Sequence, residues 1–180
     1  MSVTGPALWT GPKGQERTSE TKRHIVQTSY TMATITLDPN YGYVILAATS
    51  TFFFNTIHGF NTGAYRKAAK VDYPAAYAPD SRTDAEAHRF NCAQRAHSNY
   101  TENHVSAVLP LLIAGTKFPL TAAAMGGAWT VSRYLYMRGY SQGGEGGKGR
   151  YKGIYFWLFQ MGLMGMAGWV GVDMILQGMK

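Results

Sequence analysis

A single cysteine, Cys92, stands in this chain of 180 residues, so no disulfide can form within it, and one thiol says nothing about the redox compartment. The glycine-rich run SQGGEGGKGRYKG lacks the Gly-Lys-Ser/Thr ending of a phosphate loop, and no strand pattern precedes it; it reads as a flexible basic connection. The first forty residues lack the apolar core of a cleavable secretory signal. The most consequential absence is charge. No Asp, Glu, Lys or Arg occurs from Tyr41 to Tyr65, from Val105 to Thr116, from Phe118 to Ser132, or from Gly153 to Val172.

An apolar run of about 20 residues rises about 30 Å as a helix, which matches the hydrocarbon thickness of a bilayer. The sequence therefore predicts an all-α integral membrane protein, an up-down bundle of four transmembrane helices. The first span reads YGYVILAATSTFFFNTIHGFNTGAY, with Asn55 and His58 as its strongly polar interior residues; the second runs from about His88 to Ala114. The third is FPLTAAAMGGAWTVSRYLYMRGY and the fourth GIYFWLFQMGLMGMAGWVGVDMILQG. Residues 41–180 form the membrane domain. Residues 1–40, rich in Ser, Thr, Gly and Lys, read as a polar, poorly ordered extension, and Met32 is a natural second start ahead of the first span.

Charge is lopsided between the connections. Arg66, Lys67, Lys70, Arg82 and Arg89 lie between spans one and two, and Lys148, Arg150 and Lys152 between three and four, whereas the second connection has Lys117. The positive-inside rule places loops one and three on the cytosolic side, with Lys13, Arg17, Lys22 and Arg23 of the extension opposing weakly. The net charge of +7 fits loops facing anionic lipid and not a nucleic-acid footprint, since the basic residues do not gather on one folded face.

The second span carries the polar chemistry. Arg95, Asn99 and Glu102 are spaced by four and three, which puts them on one helical face, where ionised groups must meet protein or a wet cavity. His97 lies about 200° around the helix from Arg95 and Asn99. His97, Glu102 and His104 do not make a metal set, and Asn99-Tyr-Thr is unusable for glycosylation inside a membrane helix. Cys92 reads as a small apolar filler; His88 and Arg95 are its candidate activators if it acts as a nucleophile. Ala122, Ala123, Ala124, Gly126, Gly127 and Ala128, and the glycines 162, 165, 168 and 171, read as ridges for close helix contact.

The stretch FNCAQRAHSNYTE resembles the MAPEG family, the membrane-associated proteins of eicosanoid and glutathione metabolism, whose second helix carries Arg-Ala-(His or Gln)-x-Asn-x-x-Glu; the match is Arg95, Ala96, His97, Asn99 and Glu102. AYRKAAKVDYPAAY is similar to the basic loop of the type 3 microsomal glutathione transferase branch, and SRYLYMRGY looks like the family's third helix. The resemblance implies a homotrimer with glutathione as co-substrate in sites between subunits. It implies that Arg66 and Arg95 bind its carboxylates, Asn99 its peptide and Glu102 its ammonium, with Tyr136 and Tyr140 adding hydroxyls and aromatic walls. His97 and the loop-one arginine then come from the neighbouring subunit.

By the same resemblance a cation at the start of the fourth helix lowers the thiol's pKa. Arg150 is the choice, with Lys148 and Lys152 behind it, and Lys67 is a second basic residue near the substrate cleft; for each loop cation a solvated surface charge is the competing reading. Arg133 either matches a family arginine or anchors Glu102 or another helix, and Arg138 snorkels to the headgroups. Many members carry an aromatic residue after the motif glutamate and a proline two positions on, whereas this chain has Asn103 and Val105. The implied activity is glutathione transfer to hydrophobic electrophiles and reduction of lipid hydroperoxides, in the endoplasmic reticulum membrane or, alternatively, the mitochondrial outer membrane. The competing function is a non-catalytic lipid-presenting scaffold; a small transporter finds no inverted repeat to support it.

Overall fold

The computed structural model describes residues 36–179, so the reading of the extension lies almost wholly outside the described residues. The described chain is all-helical: α1 (Tyr41–Ala69), α2 (Ala85–Gly115), α3 (Pro119–Ser141), a 3₁₀ segment (Glu145–Gly153) and α4 (Phe156–Gly178). The charge-free runs mark α1 to within about a turn and lie wholly or largely inside the other helices, but α2 begins twenty residues before its run and carries Glu86, Arg89, Arg95 and Glu102, and α3 continues past its run through Arg133 and Arg138. α1 runs one turn past its expected end because Lys70 adopts the left-handed conformation at its C-cap, φ 53°, and its N–H closes on Arg66 O. α2 starts at an aspartate cap: Asp84 accepts from Ala87 N at 3.0 Å and pairs with Arg82 at 2.7 Å. The Arg82 guanidinium, followed by the Ala87 amide, holds the Asp84 carboxyl down to about 2.

α1 buries Val44, Ala48, Thr51, Phe54, His58, Thr62, Arg66 and Ala69, a stripe at helical spacing. Its outer face shows Leu46, Phe53 and Phe60, which are 67%, 70% and 75% exposed. Polar groups inside and aromatic groups outside reverse the pattern of a water-soluble helix. α4 does the same, with Gln160 buried and Leu158, Met161 and Ile175 turned out.

Among the described residues α4 alone is long and apolar enough, by length and composition, to cross a membrane. The expectation of four such spans is therefore met by one helix on that test. The other three fall short for a physical reason: they carry Asn55, His58, Arg95, Asn99, Glu102 and Arg133 among their apolar residues.

α2 lies against the other three long helices, and α3 touches α1, α2 and α4. Gly126 lets α3 approach α2, since a Cβ there would stand 2.8 Å from Leu111 Cδ2; Gly115 sits under Val44 in the same way. The glycine ridge expected along α4 is not a contact within the chain. Only Gly162 of that set meets a neighbour, Met125, and Gly165, Gly168 and Gly171 have nothing within 4 Å. The third connection is not a loose loop. Gly139 and Gly149 put backbone on backbone, and Gly153 rests on Ser132 and Tyr136, so the 3₁₀ segment lies along the end of α3.

Candidate functional site

The spacing in α2 produces the expected face. Arg95 donates to both Glu102 oxygens, at 2.6 and 3.2 Å, and Asn99 lies between them on the same side. This pair is not interior within the chain: the two side chains are 46% and 50% exposed. Each neutralises the other, so neither needs a further partner to stand at the surface. Asn99 turns inward instead, and its Oδ1 accepts from Arg133 Nη1 at 2.9 Å.

Arg133 is fully buried on α3 and, among the described residues, pairs with no carboxylate. Its guanidinium is held between aromatic faces, 4.2 Å from the Phe156 ring centroid, 4.7 Å from Tyr136 and 5.4 Å from Tyr100. Tyr136 stands edge-on to Tyr140, 5.6 Å between centroids, one turn further along α3. Arg150 follows, 5.7 Å over Tyr140 and 4.7 Å over Tyr151. Its Nη1 donates to Gly146 O and Gly147 O, at 2.9 and 3.2 Å, and Nη2 to Tyr151 Oη at 3.1 Å. Arg133 thus joins the α2 face to the third helix, through Asn99 on one side and the buried Tyr136 ring on the other, and the series Arg95, Asn99, Glu102, Tyr136, Tyr140 and Arg150 forms a wall from α2 across α3 to the 3₁₀ segment. The wall offers forked donors, an amide, a carboxylate and phenols, a set that suits a small zwitterion with carboxylate ends.

Three sequence-derived site residues stand away from that wall. Arg66 is buried and committed to its own loop, donating to Ala75 O at 2.6 Å and lying 4.3 Å over Tyr73 and 4.7 Å over Phe90. Lys67 is exposed in the last turn of α1. His97 takes the opposite side of α2, as its 200° offset requires, and faces His58 of α1 at 5.8 Å; its Nδ1 is buried without a hydrogen-bond partner. Among the neighbouring cations, Lys148 is largely exposed and pairs with Glu145 at 3.3 Å, while the Lys152 stem lies against Gly139.

Asn103, which replaces the aromatic residue many relatives carry, belongs to an interior network. Gln160 of α4 donates to Ser106 Oγ at 2.8 Å and to Asn103 Oδ1 at 3.4 Å, and accepts from Trp129 Nε1 at 3.1 Å. The sequence shows Gln160 only as one amide in an apolar helix, with nothing to name its partners. His58 is the second unassigned residue: it is fully buried among Phe54, Tyr100 and His97, both ring nitrogens unpartnered. Cys92 is buried, its Sγ 3.6 Å from His88 Nε2. Among the described residues no group of three metal-ligating side chains occurs.

This arrangement coincides with a match to a family model. The model of the MAPEG family covers residues 44–171, which is more than half of the chain and takes in α2, α3, most of α1 and α4, the polar face of α2 and the Arg150 segment.

Proposed function

The chain belongs to the MAPEG family, whose members are membrane-associated and include glutathione transferases and related enzymes, and from that premise we propose that it is a membrane-bound glutathione transferase with glutathione peroxidase activity. In this reading it is similar to the type 3 microsomal enzyme. It crosses the endoplasmic reticulum membrane four times as an up-down four-helix subunit of a homotrimer, with loops one and three in the cytosol.

The observation that carries the proposal is the wall itself, in which Arg95, Asn99 and Glu102 of α2 are joined through Arg133 to Tyr136, Tyr140 and Arg150. Glutathione brings two carboxylates, one ammonium and a thiol. Arg95 takes a carboxylate, Glu102 the ammonium, and Asn99 a peptide group, while the Tyr136 and Tyr140 hydroxyls flank the backbone. Arg150 holds the sulfur as thiolate, the proton leaving to solvent.

The thiolate then forms a carbon–sulfur bond with a hydrophobic electrophile. It either expels a leaving group that departs with the electron pair of its carbon bond or breaks the π bond of an activated alkene, whose carbanion takes a proton from solvent. With a lipid hydroperoxide it attacks the outer oxygen, the O–O bond breaks, and the alkoxide takes a proton to leave as the alcohol. A second glutathione displaces water from the resulting sulfenic acid and yields the disulfide. Lys67, Arg66 and His97 stand outside this wall, so their roles at the lipid cleft and at glutathione belong to a site completed by the neighbouring subunit.

The test is thiolate absorbance on titrating glutathione into the detergent-purified protein near neutral pH, together with turnover. Saturable thiolate formation is expected. Arg95→Ala weakens binding by about tenfold or more, whereas Arg150→Ala retains most binding and loses thiolate signal and kcat. No thiolate and no turnover in the intact protein would favour the second reading, a lipid-presenting scaffold of the same family.

A further inference from the structure

Arginine carries five N–H donors and no acceptor, so a side-chain amide beside it must turn its oxygen inward. Asn99 does so: Oδ1 accepts from Arg133 Nη1 at 2.9 Å. Among the described residues the Asn99 amide nitrogen donates to no protein group, and the backbone carbonyl of the same residue is taken by Asn103 Nδ2 at 2.8 Å. Arg133 itself cannot swing out to a ligand. It is 0% exposed and packed against Tyr100, Trp129, Tyr136 and Phe156, the last belonging to the start of α4. A buried cation that makes one side-chain hydrogen bond, and makes it to a residue of the wall, is placed to orient that residue.

We propose that Arg133 is a positioning residue that fixes the flip of the Asn99 amide, so that Asn99 meets its ligand as a two-hydrogen donor and selects a carbonyl or carboxylate oxygen there. This deepens the proposed glutathione reading and rests on it. The aromatic cage gives the arrangement its stiffness: Phe156 and Tyr136 hold the guanidinium plane, so the amide orientation is set by where α4 begins. The donor role also fixes which end of the tripeptide lies at Asn99. An amide oxygen facing outward would suit the ammonium, whereas an outward nitrogen suits an acceptor and leaves the ammonium to Glu102.

The experiment measures glutathione affinity calorimetrically, kcat at saturating glutathione, and thermal stability in detergent, for the intact protein and for Asn99→Asp, Arg133→Met and Arg133→Lys. Asn99→Asp keeps an acceptor for Arg133 but loses both donors. It is expected to fold with undiminished stability and to bind glutathione at least about tenfold more weakly. Arg133→Met frees the amide and raises KM for glutathione with kcat at saturation largely kept, and Arg133→Lys restores part of the affinity.

Asn99→Asp binding as well as the intact protein, or better, would overturn the proposal while leaving the glutathione reading in place. So would Arg133→Met with an unchanged KM, or equal losses of kcat and KM in both Arg133 variants. Should Arg133→Met fail to fold, Asn99→Asp decides alone. If the intact protein binds no glutathione, the functional reading fails and this inference falls with it.

Discussion

Among the described residues Arg150 is held by backbone carbonyls and a phenol and by no carboxylate, which leaves its charge open to an anion. Gly147 makes that possible. It has φ +65°, and a Cβ there would stand 2.6 Å from Tyr140 Cε2. Gly147→Ala is therefore strained twice, by conformation and by the ring, and must move the carbonyl on which Arg150 rests. The expected result is a fall in kcat of about tenfold or more with a much smaller change in glutathione affinity, read from steady-state kinetics and calorimetry on the same preparation. The face of Arg95, Asn99 and Glu102 was legible because helical spacing alone sets it. The commitments of Arg66 and Arg133 were not, since the first depends on how loop one folds back and the second on which rings α3 and α4 bring together.

At the scale of elements, Gln160 ties α4 to both α2 and α3 from within an otherwise apolar helix. Gln160→Leu removes those bonds and leaves the Trp129 indole N–H and the Asn103 amide short of partners. The expected cost is about 1–2 kcal/mol, measured as a lowered midpoint of unfolding in detergent, with Gln160→Glu less harmful than Leu if the acceptor to Trp129 matters most.

The four long helices could be read in the sequence because each contains a stretch free of charge, although in α2 that stretch is only the C-terminal third and the rest was placed by the spacing of its polar face. The 3₁₀ segment was misread as a flexible loop. Its order comes from backbone contact with α3 at Gly139, Gly149 and Gly153, and a run of glycines looks the same in a sequence whether it is loose or pressed against another backbone. The unused ridge on α4 fails by the same logic: regular spacing makes close packing possible without supplying the opposite surface.

For the whole molecule, His88 Nε2 lies 3.2 Å from Gly144 O, which sets the third connection against the start of α2 and hence beside loop one. The turn between α2 and α3 is at the other end, where Lys117 pairs with Asp173 of α4 at 2.5 Å. In a Cys92-free background, single cysteines placed at Asp80 and at Lys148 should react with an impermeant maleimide from the same side of sealed vesicles, and one at Thr116 from the opposite side. Labelling of all three from one side would remove the four-span arrangement.

The Lys117–Asp173 clasp also sets a height. From Phe156 to the residue before Asp173, α4 rises about 26 Å without a formal charge. That belt is close to the roughly 27 Å hydrocarbon of the endoplasmic reticulum and several ångströms short of the roughly 32–33 Å of a sterol-rich plasma membrane. In the proposed four-span arrangement, a move from the thinner to the thicker membrane would drag a paired lysine and aspartate toward the acyl chains or pinch the bilayer around them, so the clasp would act as a depth mark.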